Sequence, residues 1–166
     1  MVPGTYNGLP VTAIDWLSND KVLRVTLPDG LITICESAFG FSMEMESINI
    51  PASVKTIGGN AFSHCYDLQS IPLQEGLTSI GSYAFNNCRS LTSIYIPVSV
   101  TSLGRGVFQN CKNLTTITYG GTVAQWNALE KGTDLFIADW DSDGVYEGTI
   151  PATEIICTDG RISLVP

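Results

Sequence analysis

The sequence predicts a repeat solenoid, a stack of short units that share one core and lay parallel strands along one face. Three observations carry that reading. Phe39, Phe62, Phe85 and Phe108 are evenly spaced, each 23 apart in the numbering. Apolar columns keep the same step: Ile34, Ile57, Ile80, Leu103; then Met45, Leu68, Leu91, Leu114; then Val25, Ile48, Ile71, Ile94, Ile117. A unit this short, finally, cannot bury its own apolar side chains, so neighbouring units must stack.

Within a unit, Leu91-Thr92-Ser93-Ile94-Tyr95-Ile96 alternates and is rich in β-branched residues, which predicts a short strand. Pro97 ends it, as Pro51 and Pro28 do at the same phase. Successive copies lie parallel, about 4.8 Å apart. Val100 and Leu103 follow as a second apolar pair, then a compact turn carrying the buried phenylalanine. Gly58, Gly81 and Gly104 recur before that turn and predict a bend that needs positive φ or close packing. Phe62 and Phe85 are expected to be fully buried, each stacked on its neighbour.

The unit Ile50-Pro51-Ala52-Ser53-Val54-Lys55-Thr56-Ile57-Gly58, continuing through Ala61-Phe62, Cys65, Leu68 and Ser70-Ile71, resembles the BspA-like leucine-rich repeat of the treponemal class. The resemblance runs from about Leu9 to Tyr119. It implies a leucine-rich repeat solenoid, a right-handed curved array with a parallel sheet on one face and short helical or irregular turns opposite. Departures are local. Pro72 sits one residue early, Cys35 replaces the bend glycine, and Ser53 and Ser99 stand at the usual asparagine ladder position. The first unit is short, since Ile14 and Ile34 are 20 apart.

Two segments are expected. Residues 1–119 form the array, about five units with the first one shortened, and 120–166 form a C-terminal cap within the same globular unit. In the cap, Thr122-Val123-Ala124-Gln125 has capping-box spacing, and Val123, Trp126 and Leu129 fall on one helical face. Trp126 is expected to pack over the last phenylalanine of the column. Glu154 to Val165 reads as a hairpin around Asp159-Gly160. Tyr119-Gly120-Gly121-Thr122, then Trp126 and Cys157-Thr158-Asp159-Gly160, resemble the endings of BspA-like chains. The N-terminus starts in mid-unit, as expected of a piece of a longer protein.

Charged residues are 14% of the 166, and 16 acids against 8 bases leave a net charge of −8. That balance excludes a nucleic-acid binder, which needs a basic face. No apolar run approaches the ~20 residues of a membrane span. Met1 to Thr5 lacks the basic and apolar regions of a signal peptide.

Candidate chemistry is sparse. Cys65, Cys88 and Cys111 share one column, with Cys35 and Cys157 elsewhere. Stacking brings the three within disulfide range, yet an odd ladder without a CxxC spacing favours reduced, buried thiols over a metal or redox site. His64 is the only histidine, with Asp67 nearby, and reads as a solvated turn residue rather than part of a triad. Asp139, Asp141, Asp143, Val145 and Glu147 match the first half of a calcium loop. Ile150 stands where the bidentate acid belongs, so calcium is the one candidate cofactor, against a solvated acidic turn, and none is required.

With Ile94 and Ile96 pointing inward, Ser93, Tyr95 and Pro97 point outward. The equivalent outward positions are Arg24 and Thr26, Ser47 and Asn49, Ser70 and Pro72, and Thr116 and Thr118. This polar, nearly uncharged face is the candidate partner-binding surface. The resemblance implies a non-enzymatic, adhesin-like module of a bacterial surface or secreted protein, binding a protein or glycoconjugate on a host or neighbouring microbe. The rival expectation is a structural spacer that holds other domains away from the cell.

Overall fold

The computed structural model describes residues 1–6, 8–17, 21–136 and 151–164. The N-terminal segment contributes β1 (Thr5–Tyr6), β2 (Leu9–Pro10) and β3 (Ala13–Ile14). The repeats then supply β4 (Arg24–Val25), β5 (Thr33–Ile34), β6 (Ser47–Ile48), β7 (Thr56–Ile57) and β8 (Ser79–Ile80). They continue with β9 (Ser93–Ile96), β10 (Ser102–Leu103) and β11 (Thr116–Tyr119). Helix α1 (Val123–Ala128), β12 (Glu130–Lys131), β13 (Glu154–Ile156) and β14 (Arg161–Ser163) close the chain.

The solenoid carries parallel pairing on two of its sides. The predicted strand forms one line, in which β4 pairs with β6, and β9 with β11 and then β13. The second member of the second apolar pair, with the residue before it, is itself a strand. β3, β5, β7, β8, β10 and β12 make a continuous six-stranded parallel sheet. The register is one unit per strand, as in Ile34 opposite Ile57 and Ile57 opposite Ile80. A two-residue strand leaves too short an alternation to announce itself in sequence.

The first line is interrupted between Ser70, which bridges to Ser47, and β9. Pro72 has no N–H to donate across to the preceding turn. The next N–H, of Leu73, turns back to the carbonyl of Ile71 at 3.1 Å. The early proline thus leaves only a single bridge to β6, and the stack persists because Ile71 and Leu73 both stay buried.

The core is the column set that the period predicts. Phe39, Phe62, Phe85 and Phe108 are buried and stack with centroids 5.4, 5.5 and 5.7 Å apart. The turn backbone is laddered too: the N–H groups of Phe39, Phe62 and Phe85 donate to Ala61, Ala84 and Val107 of the next unit at 2.8–2.9 Å. The bend glycines answer to close packing, not to positive φ. A Cβ on Gly58 would lie 2.5 Å from the amide nitrogen of Glu36, and Gly81 and Gly104 are as tightly held. Positive φ instead runs most regularly through two columns of the turn. Ser37, Asn60, Tyr83, Gly106 and Asp134 form one, and Phe41, His64, Asn87 and Asn110 the other, all between 55° and 64°.

The stack does not end at Tyr119. Ser102 and Leu103 of β10 pair with Glu130 and Lys131 of β12, and the Gly132 N–H donates to Leu103 just as that of Gly104 does to Ile80. Phe136 then stacks on Phe108 at 5.8 Å. Helix α1 is the insertion that lengthens this unit, since Phe108 and Phe136 are 28 apart where the earlier rings are 23 apart. Trp126 therefore does not cover the last phenylalanine of the column. It meets Tyr119 edge-on at 5.3 Å, because the helix sits beside the strand line rather than over the turn.

The helix begins as its sequence predicts, with Thr122 as N-cap and reciprocal bonds to Gln125. Asp159 reaches it as well, accepting from the Val123 N–H at 2.8 Å. β13 and β14 form the antiparallel hairpin. Its turn closes with the Cys157 N–H on the Gly160 carbonyl, which centres it on Thr158-Asp159, one residue earlier than the sequence suggests.

Candidate functional site

The strand register turns the predicted outward residues to the surface. Arg24, Thr26, Asn49, Ser70, Ser93, Tyr95 and Thr116 are exposed, while Ser47 and Thr118 are half-buried. Ser93 lies opposite Thr116 and Tyr95 opposite Thr118. Pro97 departs from the expectation: it is buried, because the alternation ends at Ile96 and the chain turns there, with the Val100 N–H on the Pro97 carbonyl.

Two of these residues are already engaged across units. Asn49 Oδ1 accepts from the Leu27 N–H at 2.6 Å, and its amide nitrogen donates to the Leu27 carbonyl at 3.3 Å. Tyr95 donates its hydroxyl to Glu75 at 3.0 Å, and the same carboxylate receives the Val98 and Ser99 N–H groups. Burial, then the bond and charge of Glu75, raise the Tyr95 pKa above its ordinary value. Ser99 also takes over the ladder role of the missing asparagine, accepting from the Gly76 N–H and donating to the Leu77 carbonyl. Arg24 pairs loosely with Glu46 at 3.7 Å on the open surface, where such a contact contributes little.

A second surface forms at the turn edge, in columns that the sequence reading passed over. Phe41 is 58% exposed despite φ of 64°, a conformation unfavourable for a bulky side chain. The His64 ring stacks on it at 4.6 Å, and Tyr66 meets His64 edge-on at 5.8 Å. The Arg89 guanidinium lies 4.5 Å above the Tyr66 ring. The signal available in sequence was the offset of 23 that places Phe41, His64 and Asn87 in one column and Met43, Tyr66 and Arg89 in another.

His64 is a half-buried turn residue, and among the described residues no carboxylate bonds its ring. Asn87 Nδ2, a donor, lies 3.4 Å from Nε2, and Ser63 Oγ lies 2.8 Å from Nδ1, a geometry that favours the tautomer with the proton on Nδ1. Burial, and then the charge of Arg89, lower its pKa. Asp67 does not join it, and no triad is assembled around it among the described residues.

Cys65, Cys88 and Cys111 are free and buried, and each thiol donates to a phenylalanine carbonyl, of Phe39, Phe62 and Phe85, at 3.1–3.3 Å. Burial pushes the Cys65 and Cys111 pKa up to about 12 and that of Cys88 well above the ordinary value. Cys35 and Cys157 are free as well. Among the described residues no group of three or more His, Cys, Asp or Glu side chains is placed to hold a metal. The candidate calcium ligands Asp139, Asp141, Asp143, Val145 and Glu147 lie outside the described residues.

An open cavity of about 230 Å³ sits at the N-terminal end of the stack, lined mainly by apolar side chains including Val2, Val25 and Phe39. Among the described residues no helix is long and apolar enough to cross a membrane.

The family model for the BspA type leucine-rich repeat region matches residues 16–129 in six copies. Among experimental structures, a T. pallidum leucine-rich repeat protein is similar at 29% identity and a TM-score of 0.59, covering 70% of this chain and 57% of that one. The pneumococcal vaccine antigen PcpA shares the fold at 19% identity and a TM-score of 0.65, over 81% of this chain and 38% of that one. A leucine-rich cell surface protein from Faecalibacterium prausnitzii A2-165 is 32% identical, with a TM-score of 0.51 over 66% of this chain and 35% of that one. The chain thus spans between about a third and three-fifths of the length of these structures. No curated protein matches it.

Proposed function

The chain belongs to the BspA-type leucine-rich repeat family, and from that premise we propose that it is a non-enzymatic interaction module of a bacterial cell-surface or secreted protein. The observation that carries the reading is the strand register. Ile94, Ile96, Ile117 and Tyr119 fill the core while Ser93, Tyr95 and Thr116 stand outward in paired rows. A solenoid tied at backbone level in every turn offers an extended surface that loses little freedom on binding. The description of the F. prausnitzii relative as a cell surface protein supports the location. The ligand is a protein or glycoconjugate on a host or neighbouring microbe.

One observation favours a second reading, a spacer. Asn49 and Tyr95, two of the larger outward side chains, are spent on cross-unit contacts, which leaves small hydroxyls as most of the free face. A screen of immobilised matrix proteins and glycans separates the two. The module reading expects a ligand whose binding is lost in a Ser93→Arg, Thr116→Arg variant with an unchanged melting temperature. Failure of every ligand to bind would favour the spacer.

A further inference from the structure

We propose that the turn edge formed by Phe41, His64, Tyr66 and Arg89 is a docking surface for an acidic peptide segment of a partner protein, with Arg89 receiving a carboxylate and the aromatic rings receiving an adjacent apolar side chain. The proposal rests on the reading of the chain as an interaction module and adds a surface and a partner chemistry to it.

The first observation is the state of Arg89. The chain has four arginines, Arg24, Arg89, Arg105 and Arg161. Three of them pair with carboxylates: Arg24 with Glu46, Arg105 with Asp134 and Arg161 with Glu154. Among the described residues Arg89 has no carboxylate partner, in a chain where acids outnumber bases two to one. Its Nε and Nη2 edge, the one suited to a bidentate carboxylate, faces only the neutral amide oxygen of Asn87, with both contacts at 3.4 Å. Those lengths sit at the weak limit of hydrogen bonding. The stack on Tyr66 nevertheless holds the guanidinium plane in place. A cation that is oriented but poorly bonded is pre-arranged for an external anion.

The second observation is the apolar half. Phe41 and His64 occupy left-handed backbone positions that Asn87 and Asn110 fill in the next two units. Asparagine tolerates that region far better than phenylalanine does. The strained Phe41 gains no burial in return, and Met43 beside it is also exposed. A ring held at a left-handed position and packed on the His64 ring rather than into the core is a side chain whose role lies outside the core. Exposed Phe41, Met43 and Arg89 around a half-buried Tyr66 supply the residue types enriched at protein interfaces. Aromatic groups lie at one end of the edge and the cation at the other, so the complementary ligand is an aromatic or aliphatic side chain next to a carboxylate.

The test titrates the isotope-labelled chain with a capped peptide in which glutamates flank a tryptophan, beside the same peptide carrying glutamines. The expected result is saturable shifts at Phe41, His64, Tyr66 and Arg89, with the glutamine peptide at least about tenfold weaker, the loss of one charge-assisted contact. Arg89→Gln is expected to lose a similar factor at an unchanged melting temperature, while Arg105→Gln leaves affinity intact. Equal affinity for the two peptides, indifference to Arg89→Gln, shifts that map elsewhere, or no saturation would each overturn the proposal. So would tighter binding of an oligouronate at the same residues, which would assign the edge to acidic glycans. A ligand from the surface screen that still binds Arg89→Gln overturns this proposal alone and leaves the module standing; silence in both assays removes both.

Discussion

Phe136 stacks on Phe108 at 5.8 Å with the rings 3° from parallel, although the two are 28 apart in the chain where the other stacked rings are 23 apart. The spine of rings therefore runs one unit beyond the last regular repeat, and α1 is looped out beside it.

That spine sets the first prediction. Phe85 is buried with a ring on either side, so Phe85→Ala is expected to cost about 3–5 kcal/mol in urea unfolding. Phe136 is half-buried and has a described ring neighbour on one side only, so Phe136→Ala is expected to cost roughly half as much. Equal losses would mean that the stack is not the unit of stabilisation.

The thiol ladder gives the second. Cys65, Cys88 and Cys111 are inaccessible, bonded to carbonyls and raised in pKa by burial, so thiolate is scarce. Brief iodoacetamide treatment of native protein, read by mass spectrometry, should leave all three unmodified. Unfolded protein should take the label at each. Native labelling of Cys88 would place it at the surface and contradict the stack.

The third concerns pH. The folded-state pKa of His64 lies below its unfolded value near 6.5, so the unfolded chain binds the proton first as pH falls. Its contribution to stability is complete above that value and is lost as pH drops through about 6.5 toward the folded pKa. Protonation also turns Nε2 into a donor facing the Asn87 amide nitrogen, which is itself a donor. Melting curves at pH 7 and pH 5 should diverge less for His64→Asn than for wild type. An unchanged difference would assign the acid sensitivity to carboxylates alone.

The fourth lies at α1, a helix of six residues. Lys131 donates its ammonium to the carbonyls of Trp126 and Leu129 at 2.6 and 2.8 Å and sits 5.4 Å from the Trp126 ring centre. It thus adds a cation at the C-terminal carbonyls, beside the Leu129 N–H that already bonds Trp126, in a helix whose last turn has no basic residue of its own. Lys131→Met keeps most of the stem and removes these contacts, with an expected loss of about 1–2 kcal/mol. Thermal unfolding followed by circular dichroism reads it, and a variant as stable as wild type would show the cation to be dispensable.

The amino-acid sequence by itself determined the repeat length, the core columns, the buried cysteine ladder, the N-cap of α1 and the outward strand positions apart from Pro97. Each of these recurs at fixed spacing or follows from residues close together in the chain, and such patterns survive as periodicity. Only the tertiary structure decided the rest. The second sheet is built from two-residue strands too short to alternate visibly, and Phe136 rejoins the spine across an insertion that hides its phase. Pro72 reduces its unit's pairing with β6 to one bridge through an N–H it lacks, which matters only once the neighbouring turn is in place. The Glu75–Tyr95 contact joins residues of different units, and Arg89 is singled out by the pairing of the other three arginines. Stacking sets which side chains are neighbours across units, and the free energy of a polar contact depends on that neighbour rather than on residue type.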